Sequence, residues 1–528
     1  MRKSIFDRQI QLRFSILCSY RLNLGRFFCF ATDMNDFDKF LEKTKSANVI
    51  PVIDTLPADL LTPLSVYLKL SIDEKYSFLL ESVEGGESLA RYSFVGVAPK
   101  SIISGDDRSV TIRDEFGEQE LSVSMFDYLR EHFGANTVLE NSDLPSFVGG
   151  AIGYLGFSCA DWFEPTLKLQ KGKREETSEA SFMFFRSVVA FDHAKQVIKI
   201  ISLVFTDESR GDNGTLRRDY ENAVFENHKI KNILDKRPIS LPLADPSLKN
   251  GKVRSNWQKA EFEKAVNTIK EMIAAGECYQ VVISQCFTKP TSASPVSIYR
   301  AMRSLNPSPY MFLLNFNDRS IVGASPEMLV RCRGSKMEYR PIAGTRPRGC
   351  NPEQDAAFAE EMSADKKEIS EHLMLVDLGR NDLGRVAEFG SISVKGLMSV
   401  EKYSHVQHLV TYLSGNLRES SDCFDALAAC FPAGTVSGAP KIRAMEIIRN
   451  LEPTPRGIYA GAVGYFDYAG NMDTCIAIRT LVMENGEAKV QAGAGIVADS
   501  VPELEYQETI NKAKALLTAI EIAEENNI

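Results

Sequence analysis

Two groups of carboxylates, far apart in the chain, stand at helical spacing. Glu368 and Glu371 are three residues apart, and Glu505, Glu508 and Lys512 follow at spacings of three and four. Each spacing places its side chains on one face of a helix. If the fold brings the two faces together, their oxygens would hold a hard divalent cation such as Mg2+. This ion binds few protein carboxylates, and oxygens of the substrate complete its coordination shell. Taken singly, each stretch is equally typical of a solvated helix face.

Bulk composition restricts the class of protein. The 528 residues are too many for one ordinary domain and predict two or three. The net charge of −9 argues against nucleic acid as the main partner, although a local pocket of Arg and Lys could still bind an anion. No apolar run approaches the length of a membrane span. The ten cysteines include no Cys-x-x-Cys pair, which argues against a disulfide framework or zinc site and favours a reducing compartment, the cytoplasm.

The first 33 residues differ from the rest. They carry six Arg and Lys residues against two acidic ones and lack the continuous apolar region of a secretory signal. This composition also fits a transit peptide, which would imply a plastid location. We prefer the interpretation that the start codon is assigned too early and that Met34 is the true start.

The remaining chain divides into two mixed domains by pattern. Residues 34–235 predict a first domain, which includes a hairpin over residues 187–204. Residues 236–254 carry several prolines among Lys and Ser and predict a linker. A second domain follows over residues 255–520, where a helix of regular apolar spacing is expected to end at Gly276. Strands and helices mix throughout, so the predicted fold class is α+β.

Long blocks of sequence accompany the two acidic stretches. They read PIAGTRPRG (341–349), EHLMLVDLGRND (371–382), YSHVQHLV (403–410), FPAGTVSGAPK (431–441) and QAGAGIV (491–497). At these blocks the chain resembles the anthranilate synthase component I family of chorismate-utilising enzymes, over about residues 35–520. The resemblance implies a sandwich of large mixed or antiparallel sheets packed by helices. It also implies a regulatory N-terminal domain and a larger C-terminal chorismate-binding domain that holds the active site.

The resemblance supplies a substrate with distinct parts. Chorismate carries a ring carboxylate, an enolpyruvyl carboxylate and a ring hydroxyl that must leave. Arg479 would bind the enolpyruvyl carboxylate through its planar guanidinium. Gly493, Ala494 and Gly495 would form a turn whose backbone N–H groups meet a carboxylate. The full set of residues matched to substrate binding is Gly344, Thr345, Tyr459, Arg479, Gly493, Ala494, Gly495 and Lys512.

Three side chains match the family's acid–base positions. Glu327 would protonate the departing hydroxyl, which requires a carboxyl group that burial or a like charge keeps protonated near neutral pH. His408 would remove a ring proton as pyruvate leaves, because imidazole has a suitable pKa. Thr435 matches a site threonine, although its hydroxyl is equally typical of a turn.

The resemblance also assigns the metal. Glu371 and Glu508 match the carboxylates that hold Mg2+, with Glu368 and Glu505 in the outer coordination sphere or acting through water. The ion would connect the ring carboxylate to the protein and absorb charge as the ring reorganises.

The residues at two positions distinguish among the activities found in this family. Isochorismate and salicylate synthases carry a Lys that activates water where this chain has Gln280, and a neutral amide cannot serve as that base. Aminodeoxychorismate synthases typically carry a Lys where this chain has Ala343. Both differences favour direct addition of ammonia to give 2-amino-2-deoxyisochorismate and then anthranilate, the first committed step of tryptophan synthesis. The alternatives are an aminodeoxychorismate synthase component I and a non-catalytic tryptophan-sensing subunit.

Ammonia needs a source, and the segments outside the resemblance are too short for a glutamine amidotransferase domain. We therefore expect a separate glutaminase subunit, anthranilate synthase component II, in a heterotetramer. The family is also inhibited by tryptophan. The positions matched to tryptophan binding are Ser82, Pro309, Tyr310 and Met311, with Val463 and Tyr465 as their neighbours.

Overall fold

Two antiparallel sheets, each of twelve strands, form the framework of the chain in a computed structural model. The structure describes residues 34–82, 91–138, 143–168, 180–209, 211–242, 244–245, 247–403 and 406–525, so the prediction made for residues 1–33 lies outside it. The strands are β1 (Val49–Pro57), β2 (Tyr76–Glu81), β3 (Tyr92–Val97), β4 (Ser101–Gly105), β5 (Val110–Asp114), β6 (Gly117–Leu121), β7 (Gly150–Leu155), β8 (Ala180–Phe185), β9 (Ser187–Asp192), β10 (Val197–Phe205), β11 (Arg254–Ser255), β12 (Gln280–Pro290), β13 (Tyr310–Phe316), β14 (Arg319–Ser325), β15 (Met328–Arg333), β16 (Lys336–Tyr339), β17 (Ile342–Pro347), β18 (Ser393–Lys402), β19 (Val406–Asn416), β20 (Gly438–Ala439), β21 (Ala462–Asp467), β22 (Met472–Ile476), β23 (Thr480–Glu484) and β24 (Glu487–Ile496).

Helices of very different length accompany the strands. They are α1 (Met34–Lys43), α2 (Pro63–Ser71), α3 (Met125–Ala135), α4 (Ala160–Phe163), α5 (Pro165–Lys168), α6 (Asn213–Lys236), α7 (Lys259–Ala274), α8 (Pro295–Leu305), α9 (Pro352–Ala364), α10 (Lys366–Gly384), α11 (Cys423–Cys430), α12 (Gly434–Ser437), α13 (Lys441–Leu451) and α14 (Pro502–Glu525). None of the helices in the described ranges combines the length and apolar character that a membrane crossing requires.

Each sheet joins a continuous block of strands from the N-terminal part of the chain to a continuous block from the C-terminal part. Sheet 1 has the order β1-β10-β9-β3-β2-β13-β14-β23-β24-β12-β11, with β20 paired to β12. Sheet 2 has the order β17-β19-β16-β15-β22-β21-β7-β8-β4-β5-β6, with β18 paired to β19. Apart from Lys236, the last residue of α6, the predicted linker at residues 236–254 has no regular element in its described part before β11. It nevertheless does not separate two sheets, since everything from Thr44 onward forms one compact unit and α1 is a separate one. The division into N- and C-terminal domains stays a prediction.

The two sheets pack face to face as a sandwich. Aromatic and aliphatic side chains from both sheets, such as Phe78 and Phe312 of sheet 1 and Tyr465 and Met183 of sheet 2, form one buried cluster. On its other face, sheet 1 is covered by α2, α6, α8 and α14, whose apolar residues join a second cluster. The predicted α+β class with antiparallel sheets packed by helices is therefore confirmed.

Local patterns correctly placed several elements. The hairpin predicted over residues 187–204 is β9 and β10, which pair directly across a four-residue turn. Helix α7 ends at Ala274, and Gly276 follows with φ +80°, a left-handed conformation that glycine adopts without strain. Both acidic stretches lie on helices, the first on α10 and the second on α14.

Candidate active site

A cavity of about 810 Å3 draws its walls from both sheets and from α10, α12 and α14. Most of the residues that the sequence singles out for catalysis, substrate or metal lie on it. They are Gln280, Glu327, Gly344, Thr345, Glu371, His408, Thr435, Tyr459, Arg479, Gly493, Gly495, Glu505, Glu508 and Lys512.

Two connections between the sheets carry the acid and the guanidinium. The chain leaves sheet 1 after β14 and enters sheet 2 at β15 through Glu327, and it returns from β22 to β23 through Arg479. Backbone hydrogen bonds join the two connections: Ile476 N donates to Glu327 O at 3.1 Å, and Ala324 N donates to Arg479 O at 3.0 Å. Arg479 has φ +48°, a conformation that side-chain-bearing residues adopt only where the surrounding structure imposes it.

Burial makes Glu327 an acid suited to neutral pH. Its side chain is only 7% exposed, and loss of hydration raises the pKa of the carboxyl group to about 8. The Thr435 hydroxyl and the positive charge of Arg479 oppose this rise. At neutral pH the carboxyl group therefore keeps its proton and can donate it to a leaving group.

Arg479 is a buried cation that faces the cavity. Burial lowers the pKa of its guanidinium, and the nearby Glu327 opposes the change, but an arginine stays charged in any protein environment. No carboxylate among the described residues forms an ion pair with it. A buried guanidinium without an internal carboxylate suits the carboxylate of a ligand, to which it can donate two parallel hydrogen bonds.

The tautomer of His408 follows from its backbone partner. Its Nδ1 lies 2.8 Å from the carbonyl oxygen of Gly344, which can only accept, so Nδ1 carries the proton. The same nitrogen lies 3.1 Å from Thr345 Oγ1. Burial lowers the pKa of the imidazole, and the charges of Arg479 and Arg340 act in the same direction. The neutral ring therefore leaves Nε2 unprotonated and able to accept a proton.

Carboxylates and lysines gather at one end of the cavity. Burial first, and then the negative charges of Glu368 and Glu508, raise the pKa of Glu371. Burial likewise raises the pKa of Glu505, with Glu508 as a further contributor. Lys512 Nζ lies 2.7 Å from Glu508 Oε1 and donates to the Gly493 carbonyl at 3.0 Å. The two helices that carry these groups thus meet at one polar site.

Two predicted residues lie off the cavity wall. Glu368 accepts a hydrogen bond from Arg346 Nη1 at 3.0 Å. It affects the site through its negative charge, which raises the pKa of Glu371. Ala494 is fully buried within β24, opposite Ile283 of β12. The turn predicted at residues 493–495 is wrong, because this stretch is a continuous strand.

The glycines of this strand make room for polar side chains. A Cβ on Gly493 would lie 2.8 Å from Tyr459 Oη, and a Cβ on Gly495 would lie 2.5 Å from Gln280 Nε2. Both distances are shorter than the contacts that Cβ atoms make in folded proteins, so any larger residue at either position would collide with these side chains. Burial raises the pKa of Tyr459 to about 12, so the phenol stays protonated and can serve as a hydrogen-bond donor.

A second cavity, of about 280 Å3, lies at the sandwich interior and does not include the acid–base residues. The four positions matched to tryptophan binding line it, together with their two neighbours: Ser82, Pro309, Tyr310 and Met311, and then Val463 and Tyr465. Arg91, Arg331 and Arg333 also line it and were not anticipated. Strands β2, β13 and β21 bring these positions together, so the wall draws on both halves of the chain.

One residue of the cavity wall was missed in the sequence, although a signal for it was present. Lys367 lines the large cavity, and its charge opposes the rise in the pKa of Glu371; it precedes that residue by one helical turn and could have been found by that spacing. Asp382, at the end of the block 371–382, is buried and accepts from Lys441 Nζ at 3.0 Å, so it fixes the structure rather than facing the cavity.

Comparison with known proteins agrees with this geometry. The family model described as chorismate binding enzyme matches residues 76–518. The chain is 45% identical over 487 residues to anthranilate synthase component 1 of Acetivibrio thermocellus, covering 91% of this chain and 97% of the relative. The chain belongs to the anthranilate synthase component 1 family of chorismate-binding enzymes. The predicted family and the prediction of an enzyme are confirmed.

Further relatives extend the match. The probable anthranilate synthase component 1 of Schizosaccharomyces pombe is 43% identical over 493 residues, covering 93% of this chain and 97% of the relative. The crystal structure of anthranilate synthase component I from Streptococcus pneumoniae TIGR4 superposes with a TM-score of 0.70 at 36% identity, covering 87% of this chain and 98% of that one. The isochorismate synthase MenF of Escherichia coli, at 20% identity and a TM-score of 0.65, shares the fold.

Proposed function

We propose that this chain converts chorismate and ammonia into anthranilate, pyruvate and water. One observation supports this most directly: a carboxyl group held protonated, a free guanidinium and a histidine of fixed tautomer line the same cavity. The relatives compared above add to it, since the two that are more than 40% identical carry the names anthranilate synthase component 1 and probable anthranilate synthase component 1.

The first step replaces the ring hydroxyl by an amino group. Ammonia forms a bond to a ring carbon as the ring double bonds shift and the C–O bond to the hydroxyl breaks. Glu327 gives its proton to that oxygen, so the leaving group departs as water, and a proton lost from the new ammonium group restores the acid. Arg479 would hold the enolpyruvyl carboxylate, which orients the ring beside the acid. The neutral amide of Gln280 cannot activate water by taking its proton, so water has no base at this position with which to compete with ammonia.

The second step restores aromaticity. Nε2 of His408 takes the ring proton while the C–O bond between the ring and the enolpyruvyl group breaks. The enolate that leaves then takes a proton at its methylene carbon and becomes pyruvate, which returns the imidazole to its neutral form. The hydrogen bond from Nδ1 to the Gly344 carbonyl holds the ring and stabilises the imidazolium that forms.

The polar end of the cavity fits Mg2+. The pKa of Glu371 is raised partly by neighbouring negative charge, which a bound cation would relieve. Within the described residues, no group of three or more His, Cys, Asp and Glu side chains could hold a metal by itself. A cation held by Glu371 and Glu508 would therefore be completed by substrate and water, as Mg2+ commonly is. When bound, the ion would neutralise the ring carboxylate.

The family is named as a component 1, which implies a second component. We propose that this partner is a glutaminase that supplies ammonia in a heterotetramer. The purified chain should make anthranilate from ammonium salts at raised pH with Mg2+, read by anthranilate fluorescence. It should not use glutamine until the partner is added.

Three results would count against this proposal. No fluorescence with ammonium and chorismate would refute the reaction. A 4-amino product instead of anthranilate would indicate an aminodeoxychorismate synthase. Turnover of glutamine by the chain alone would refute the separate glutaminase.

We further propose that tryptophan binds in the second cavity and inhibits the enzyme. The wall has aromatic and aliphatic groups for an indole ring and partly buried guanidinium groups for a carboxylate. The Ser82 hydroxyl is buried and has no hydrogen-bond partner among the described residues. It could bind a polar group of the inhibitor.

Filling this cavity should abolish inhibition without harming catalysis. Ser82→Leu places a bulky side chain in the cavity, so tryptophan should need a concentration at least about 10-fold higher for the same inhibition. Ser187→Leu, on the same sheet but outside the cavity, is the control. Both variants should match the parent without tryptophan. Identical inhibition curves for Ser82→Leu and the parent at subsaturating chorismate would place the regulatory site elsewhere.

A further inference from the structure

A buried ion pair lies directly behind the cavity wall. Arg456 follows α13, and Glu452 is the residue at the end of that helix. Their side chains are 1% and 4% exposed, and Arg456 Nη2 lies 2.7 Å from Glu452 Oε1. Arg456 does not itself line the 810 Å3 cavity, so it has no direct contact with a ligand there.

The guanidinium of Arg456 connects separate segments of the cavity wall. Its Nη1 donates to the carbonyl of Val436, the neighbour of Thr435, at 2.7 Å. Its Nη2 donates to the carbonyl of Val282 on β12 at 2.6 Å. The same group lies over the ring of Tyr459, 5.6 Å from the centroid.

Glu452 extends the connection to the neighbouring strand. Its Oε1 accepts from Ser284 N and from Ser284 Oγ, both at 2.8 Å. Ser284 Oγ in turn accepts from Gln491 Nε2 on β24 at 2.8 Å, two residues before Gly493. One ion pair thus joins the short helix α12, which carries Thr435, to β12, Tyr459 and β24.

Electrostatics alone does not account for this pair. Removing two charges from water costs several kcal/mol per ion, and a well-packed apolar pair of similar volume is often as stable or more so. The geometry is more informative: three acceptors in different segments match the fixed fork of a guanidinium, which an ammonium group cannot reproduce.

We propose that Arg456, held by Glu452, is a positioning residue that sets the Thr435 hydroxyl against Glu327 and holds the Tyr459 ring at the cavity. The inference rests on the proposed function, because it assigns Glu327 the role of acid. Its physical consequence is that loss of the Arg456 guanidinium loosens α12, which carries Thr435. Thr435 then no longer opposes the rise in the pKa of Glu327.

The test compares Arg456→Lys and Arg456→Met in the full chain. Because positioning depends on the fork, both variants should lose kcat by about 100-fold, the cost of misplacing a catalytic group by about 1 Å. The alkaline limb of the kcat profile should move to higher pH in both. If the pair merely balances charge, Lys should restore kcat and the pH profile, and that result would overturn the proposal.

A matched control separates positioning from stability. Lys289 and Glu524 form another buried ion pair at 2.6 Å, between β12 and α14, and neither lines the cavity. Lys289→Met should lower the midpoint of thermal unfolding but leave the pH profile unchanged. If both Arg456 variants fail to fold, Glu452→Gln takes their place. The amide of Gln can still accept a hydrogen bond but carries no charge, so it holds the Arg456 guanidinium less firmly. We expect kcat to fall and the alkaline limb to move to higher pH in this variant too.

Hydrogen–deuterium exchange tests the same inference without measuring enzyme activity. Residues 434–437 should exchange faster in Arg456→Lys than in the parent or in Lys289→Met. Equal exchange in all three would contradict the inference. Faster exchange in Arg456→Lys, together with a parent chain that makes no anthranilate, would support the positioning role and refute the proposed function instead.

Discussion

Glu327→Gln is expected to lower the rate of anthranilate formation by about 10³-fold, within the range that a general acid contributes. The amide keeps the size of the side chain, but it has no acidic proton to give to the departing oxygen. Chorismate binding should persist, since Arg479 and Tyr459 are untouched. Single-turnover kinetics with ammonium as donor would measure the loss directly.

The pH profile tests the same assignment in the parent enzyme. Because the pKa of Glu327 is about 8, the protonated, active form prevails below that pH and is lost above it. The concentration of free ammonia must be held constant across the series, since it also rises with pH. The rate should then fall as pH increases through about 8, and this limb should vanish from the residual rate of Glu327→Gln.

Asp467 offers a control for burial alone. It is 2% exposed, burial raises the pKa of its carboxyl group to about 7, and it does not line the 810 Å3 cavity. Asp467→Asn should change thermal stability but keep the alkaline limb near pH 8. A parent profile without such a limb, or an active Glu327→Gln, would contradict the role of Glu327 as the acid.

Periodicity predicted the elements but not their partners. The apolar residues Phe262, Val266 and Ile269 are buried on α7, as their spacing indicates. Spacing also placed the two acidic stretches on helices. The pairing of the strands could not be predicted in this way. Strands β2 and β13 are more than 200 residues apart and lie side by side, and no local pattern in the sequence indicates that contact. The mixing of both halves of the chain in each sheet therefore could not be read from the sequence.

Within the site, the resemblance supplied positions but not their surroundings. The small residues of 493–495 suggested a turn, whereas they are needed because Tyr459 and Gln280 approach the strand closely. Arg456 was missed because it lies in a short connection without periodicity, and its role depends on carbonyl groups of distant segments. Likewise, the raised pKa of Glu327 depends on burial, which only the assembled sandwich creates.

Glu508→Gln is expected to reduce activity at limiting Mg2+ by at least about 100-fold, since even indirect partners of a metal ligand change affinity or activity by 10–100-fold. The amide preserves the shape of the helix face but removes a negative charge from the ligand set. Much of the loss should be recovered at high Mg2+, because the affinity for the ion falls more than the chemistry. A titration of activity against Mg2+ at saturating chorismate would reveal the shift.

Glu503 provides the matched control on the same helix. Its exposed carboxylate pairs with Lys259 Nζ at 2.8 Å and does not line the cavity, so Glu503→Gln should keep the parent's Mg2+ dependence. Binding of Mn2+, followed by paramagnetic resonance in the presence of chorismate, should weaken in Glu508→Gln and not in Glu503→Gln. Equal Mn2+ affinity in both variants would remove Glu508 from the metal site and leave its pairing with Lys512 as its role.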